Sequence, residues 1–161
     1  MIDTAKVQDH RKLRFDRIPD LLAEIDRIVE ADEAGRLKCS GNWSAGQAMG
    51  HVAAWIEYGY VGYPMKPPPW FIRFILRIAG KKYIRKGMPM GVKIPGVPEG
   101  TFGVEPMTTR DGADRLRKAA KRLEFGEATS YDSPAFGPMS FEDRIQLNLR
   151  HAELHLGYLH P

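Results

Sequence analysis

The sequence predicts an all-α fold, a four-helix bundle with one long crossover between its second and third helices. Three observations point there. Four segments repeat apolar residues at intervals of three and four, the period of one helix face. Each opens on a residue suited to start a helix. No stretch alternates apolar and polar residues convincingly with period two, and no strand–helix–strand spacing appears.

The first helix follows Asp16-Arg17-Ile18-Pro19. Proline is favoured there because an N–H at a first helical position has no partner to lose. Leu21, Leu22, Ile25, Ile28 and Val29 form its stripe, and Gly35 marks its stop. The second helix, Ser44 to about Val61, starts on Ser44-Ala45-Gly46-Gln47, the pattern of a reciprocal capping box. Its inner row holds Ala48, His51, Val52 and Trp55. A connection of about residues 62–107 follows, opened by Pro67-Pro68-Pro69. Within it Phe71, Phe74, Ile75 and Ile78 have helical spacing, so Trp70 to Arg85 can form an additional helix, whereas Gly87 to Pro106 reads as irregular loop. Thr108 or Thr109 caps the next helix, with Ala113, Leu116, Ala120 and Leu123 inward and Gly126 at its end. Pro134 to Pro138 is a turn, and Ser140 caps the last helix, which carries Ile145, Asn148, Leu149, Ala152, His155, Leu156 and Leu159 on adjoining rows.

The length, 161 residues, fits one domain spanning 1–161, large enough to bury a core without cross-links. An apolar fraction of 43% and a charged fraction of 27% exclude a disordered class. One cysteine, Cys39, cannot close an internal disulfide and is expected to be inert. The N-terminus lacks the apolar core of a signal peptide, and Trp70 to Ala79, interrupted by Arg73 and Arg77, is shorter than the ~20 residues a bilayer requires. A cytoplasmic protein is expected. The net charge of +4 is unevenly spread: Tyr58 to Pro98 has no acid and carries +8, leaving −4 for the remainder. A local basic surface attracts anions.

The histidines carry the chemistry. His151 and His155 lie four apart, about 400° of helical rotation, so both rings leave one face a turn apart. Two nitrogens at that spacing can meet one ion at about 2.0–2.1 Å. His51, on an inner row, is the leading third ligand. Three histidines with an open fourth position make the pattern of a catalytic rather than a structural metal. The same spacing also suits hydrogen-bonded core histidines. His10 and His160, near the termini, are expected to be solvated. Other chemistries fit poorly. A zinc-protease helix needs Glu after the first His, where Ala152 stands. The stretch Gly41-Asn42-Trp43-Ser44-Ala45-Gly46 has one residue too many for a nucleophile elbow. No phosphate-binding loop or nucleic-acid docking motif is present, and no nucleic-acid partner is expected.

Asn42-Trp43-Ser44, Gln47 and His51-Val52-Ala53 resemble the second-helix signature of the DinB-like superfamily, and Asn148 to Leu156 resembles its last-helix signature. The turn Pro134 to Ser140, and Arg11-Lys12-Leu13-Arg14-Phe15, resemble a branch described only as a domain of unknown function. The resemblance covers most of the chain except the basic connection. It implies a four-helix bundle holding one divalent transition metal, zinc or nickel first among candidates, through His51, His151 and His155.

Characterised relatives include thiol-dependent transferases and isomerases. The resemblance therefore implies a metal-dependent enzyme, a thiol transferase or related hydrolase, acting on a small molecule with an anionic low-molecular-weight thiol. Gln47 and Trp55, a turn either side of His51, would line the pocket, and Asn148 would hold substrate or water, although capping and packing are the alternative for all three. A contrasting reading is a non-enzymatic, metal-stabilised bundle that meets an anionic membrane or partner through residues 70–86. The apolar positions of that segment wrap most of a helical wheel, which points instead to burial against its own protein or a second subunit, so a homodimer is admitted and membrane association disfavoured.

Overall fold

The structure is a computed structural model and describes residues 2–161 except 96, 98 and 99. It is mostly helical. Among the described residues there are five α-helices: α1 (Ile18–Glu33), α2 (Ala45–Val61), α3 (Trp70–Lys86), α4 (Thr109–Glu124) and α5 (Phe141–Leu156). No helix among the described residues is long and apolar enough to cross a membrane.

Local chemistry sets the helix boundaries. The Asp20 carboxylate accepts from the backbone N–H groups of Asp16 and Arg17 at the start of α1. After α1, Gly35 adopts φ +66°, and the Arg36 N–H reaches back to the Ala31 carbonyl. That left-handed turn satisfies carbonyls a helix end otherwise leaves open. Ser44 and Gln47 bond reciprocally, at 3.2 and 3.1 Å, to begin α2. Thr108 and Ser140 accept from the third residue on, Asp111 and Asp143, to begin α4 and α5. Gly62, Gly87 and Gly126, all at positive φ, follow α2, α3 and α4.

The helices α1, α4, α2 and α5 contact one another in that cyclic order. Their inward rows meet in one core: Leu21, Ile25 and Ile28 from α1; Met49, Val52 and Ile56 from α2; Leu116, Ala120 and Leu123 from α4; and Leu149 and Leu156 from α5. The α2–α4 contact is the closest. A Cβ on Gly46 would overlap the Met107 and Thr108 carbonyls, and one on Gly112 would overlap the backbone of Gly46. Two glycines therefore let these backbones touch, and Glu57 and Arg115, paired at 2.6 Å, close the same seam further along.

Two features depart from the sequence expectations. Residues Lys38–Cys39 (β1) and Leu159–His160 (β2) form a two-stranded antiparallel ladder, with Lys38 opposite His160 and Cys39 opposite Leu159. Two residues per strand are too few to register as period-two alternation. The second departure is α3. It forms over the expected residues, but most of its apolar side chains are exposed rather than buried against the rest of the chain. Only one row, with Leu76, buried Gly80 and Tyr83, turns inward, where Gly80 and Tyr83 meet Phe136 of the 134–138 turn.

Candidate metal centre

His51 projects from the middle of α2, and His151 and His155 project from the last two turns of α5, a neighbour of α2. The packing brings one potential ligand nitrogen of each histidine within 4.8 Å of the others. The Nε2 atoms of His51 and His151 are 3.2 Å apart. Two nitrogens at tetrahedral positions about 2.0–2.1 Å from one ion are separated by roughly 3.4 Å. The trio is therefore close to the spacing a single ion requires, with no carboxylate in the group.

A carbonyl orients the innermost ring. His51 Nδ1 lies 2.8 Å from the Phe102 carbonyl oxygen, so Nδ1 carries the proton and donates it. The Nε2 lone pair is then left facing His151 and His155. A ligand histidine held through its other nitrogen is the usual supporting arrangement of metal sites. Phe102 reaches His51 because Gly103, at φ +73°, passes hard against Ala54 of α2: a Cβ there would lie 2.6 Å from the Ala54 Cβ. Replacing Gly103 by Val should lift this loop, release the His51 proton donor and weaken metal binding by about 10- to 100-fold, as losses of such support do. Competition with a chromogenic chelator would measure it; unchanged affinity would remove Phe102 from the site.

Aromatic rings wall the cluster. Trp43 stacks on His155, with centroids 5.2 Å apart and planes at 21°, and lies 4.9 Å from His51. Trp55 meets His51 and His151 edge-on at 6.1 and 5.9 Å, then continues into Tyr58 and Tyr63. The Trp55 indole N–H is buried and has no hydrogen-bond partner among the described residues. The β1–β2 ladder, with the Ser40 N–H bonded to the Tyr158 carbonyl at 2.9 Å, ties the segment before Trp43 to the end of α5.

Burial in this apolar shell disfavours the imidazolium form. His51 is lowered from 6.5 to about 4, chiefly by desolvation, with the Phe102 carbonyl acting in opposition. His151 and His155 are lowered well below the ordinary value by desolvation and by neighbouring histidines. The rings are therefore neutral, the form that can ligate a cation. Between pH 6.5 and about 4 the unfolded chain binds protons that the folded chain refuses, so stability is full above that window and falls as pH falls through it. For His51 alone the loss is about 3 kcal/mol. Chelator-treated protein should show a declining melting temperature as pH is lowered from 6.5 to 4, and a smaller decline in the His51→Gln variant.

The other expected residues divide. Trp55 lines the cluster. Gln47 does not bond a histidine; its side chain closes the α2 cap and donates to the Val104 carbonyl at 3.2 Å. Asn148 turns back on its own helix, donating to the Arg144 carbonyl four residues earlier at 2.9 Å. His10 and His160, expected in solvent, are half-buried: His10 Nε2 lies 2.8 Å from the Leu154 carbonyl and His160 Nε2 3.0 Å from the Ser40 hydroxyl. The N-terminal segment and β2 fold over the end of α5, which no local pattern announces. Cys39 is exposed, with its thiol raised by desolvation, in keeping with an unreactive residue. Trp43, which the sequence marks only as part of the second-helix signature, and Phe102 join the site in the structure. Trp43 had a faint signal, an aromatic immediately before a helix cap; Phe102, contributing a carbonyl from an irregular loop, had none.

The fold and this cluster define an all-α protein with a candidate three-histidine metal centre. Residues 7–161 match the family described as Protein of unknown function (DUF1569), and the chain belongs to that family. No curated protein and no solved structure matches the chain.

Proposed function

We propose that this protein is a metal-dependent enzyme of the DinB-like kind. In this reading α1, α2, α4 and α5 form the four-helix bundle, with α3 carried in the long crossover, and His51, His151 and His155 hold one divalent transition metal. The observation that carries it is the meeting of three neutral imidazoles, from two helices a hundred residues apart, with no carboxylate among them. Of the three rings, only the outer nitrogen of His51 has a carbonyl partner among the described residues, and imidazole nitrogens facing one another in an apolar surround are costly as packing alone. A divalent ion held by His51, His151 and His155 would lower the pKa of a bound thiol or water and orient it.

The chain's own groups shape what can enter. Phe102 holds the His51 tautomer, and Trp43 and Trp55 exclude water on two sides. The unpartnered Trp55 indole offers a hydrogen bond to an acceptor on a bound molecule. Three neutral ligands leave a dication's charge uncompensated, which favours an anion in the remaining position. The DinB-like resemblance makes a low-molecular-weight thiol the first candidate and a thiol transferase the first reaction class, with hydrolysis the second.

Calorimetry of metal-loaded protein against a panel of thiols, repeated after chelation, tests this. Binding of at least one thiol is expected, lost on chelation and weakened in Trp55→Phe, which removes the indole donor. Metal-loaded protein that binds no thiol removes the transferase reading, and protein that takes up no divalent metal removes the metal centre.

A further inference from the structure

We propose that α3 is a docking helix for an anionic lipid surface. Trp70, Phe74, Ile75 and Ile78 are 79, 63, 59 and 61% exposed, and Phe71 lies beside them. At 100° per residue these five fall within about 140° of the helix circumference, so they form one face. The inward row of Leu76, Gly80 and Tyr83 lies on the opposite side. The outward face changes character along its length. Its first half is aromatic and aliphatic; its second half presents exposed Lys81, Lys82, Arg85 and Lys86. No acid lies between Tyr58 and Pro98 to neutralise them.

Charge selects the occupant. A second copy of this chain covers only half of this face. An isologous pair sets the same patch against itself. Paired in parallel along the whole helix, two sets of four cations would oppose each other; paired antiparallel, each set would lie on the partner's apolar half; and pairing through the apolar half alone would leave the cations without partners. An anionic bilayer answers both halves: the aromatic and aliphatic side chains enter the headgroup–acyl boundary and the cations meet lipid phosphates and carboxylates. Trp70 stands at the helix end, where an indole suits the interface. The helix is anchored by its inward row on the 134–138 turn, so the outward face is available without unfolding.

Co-sedimentation of the full chain with phosphatidylcholine vesicles, with and without about one-third phosphatidylserine, tests this. Binding is expected to the anionic vesicles only and to fall with added salt. Each basic residue near such a surface is worth about fivefold in partitioning, so replacing Lys81, Lys82, Arg85 and Lys86 together by Gln should weaken binding by a hundredfold or more. Phe74→Ser with Ile78→Ser should also weaken it, and being exposed should leave circular dichroism and metal content unchanged. Brominated lipid should quench fluorescence in the native chain but much less in Trp70→Phe. No binding to anionic vesicles at low salt overturns the proposal, as does equal binding to neutral vesicles. Concentration-dependent dimerisation abolished by Phe74→Ser, without vesicle binding, would assign the face to a second copy. Tight binding to soluble polyglutamate without vesicle binding would assign it to an acidic polypeptide.

Discussion

Protein with His155 replaced by Ala should purify with almost no bound transition metal, whereas the unmodified chain should carry close to one ion. His155 and His151 leave α5 one turn apart, and His151 Nε2 lies 3.2 Å from His51 Nε2. Removing one of the three proposed ligands should cost more than the roughly 10- to 100-fold attached to losing a supporting hydrogen bond. Because the proposed ligands come from α2 and α5, a bound metal should also stabilise the fold. An ion bound only by the native state contributes about 2.7 kcal/mol at one hundred times its dissociation constant. Chelation should thus lower the melting temperature of the unmodified chain and leave that of His155→Ala nearly unchanged. Elemental analysis of untagged protein and paired thermal melts provide the readouts. Full occupancy in the variant would sink the ligand assignment.

The second large effect is expected far from that chemistry. Arg150 is fully buried in α5, donating to the Phe15 carbonyl and to Gln146 Oε1, with Glu153 Oε1 3.1 Å away. Glu153 also accepts from the Phe15 N–H at 2.6 Å. Burial pushes the Glu153 carboxyl up, opposed by that N–H and by Arg14. Four residues earlier, Arg11 pairs with the fully buried Glu24 of α1. Residues 11–15 are thereby fastened to two helices by buried ions. Glu153→Ala should leave the Arg150 charge uncompensated and the Phe15 N–H unpaired, costing about 3–5 kcal/mol. For a chain of this size that is roughly 10 °C of melting temperature. The double change Arg150→Met with Glu153→Leu should recover the part due to the uncompensated charge, since well-packed apolar replacements of buried pairs are often neutral, but not the part due to the Phe15 backbone groups, which lose their side-chain partners. A single variant within about 1 kcal/mol of the native chain would show that the pair is dispensable.

These two sites explain different parts of the last helix. Within Asn148 to Leu156, His151 and His155 face α2 and the aromatic wall, while Arg150 and Glu153 face the N-terminal segment. The run Arg11-Lys12-Leu13-Arg14-Phe15 is, in three dimensions, the strap that these buried charges hold. Its resemblance to a family motif is accounted for by structure rather than by contact with the histidines.

What the sequence by itself determined is the content and limits of the helices, and the pairing of two histidines. Those are short-range properties. A cap needs residues three apart, as with Ser44 and Gln47; a stop needs one glycine free to take positive φ, as at Gly35; a helix face needs only the 3.6-residue period that sets His151 beside His155. Long-range relations had to wait for the tertiary structure. It set His51, which its inner-row position had already made the leading third residue, 3.2 Å from His151, placed Trp43 on His155, aimed the Phe102 carbonyl at His51 and left most of α3 uncovered. Each depends on chain segments tens of residues apart meeting at a fixed angle, and a carbonyl or an uncovered face has no side-chain pattern of its own to read. The same limit governs the buried ions: no local pattern announces that Arg150 and Glu153 meet the backbone of Phe15, which only the folding of residues 11–15 across α5 brings about.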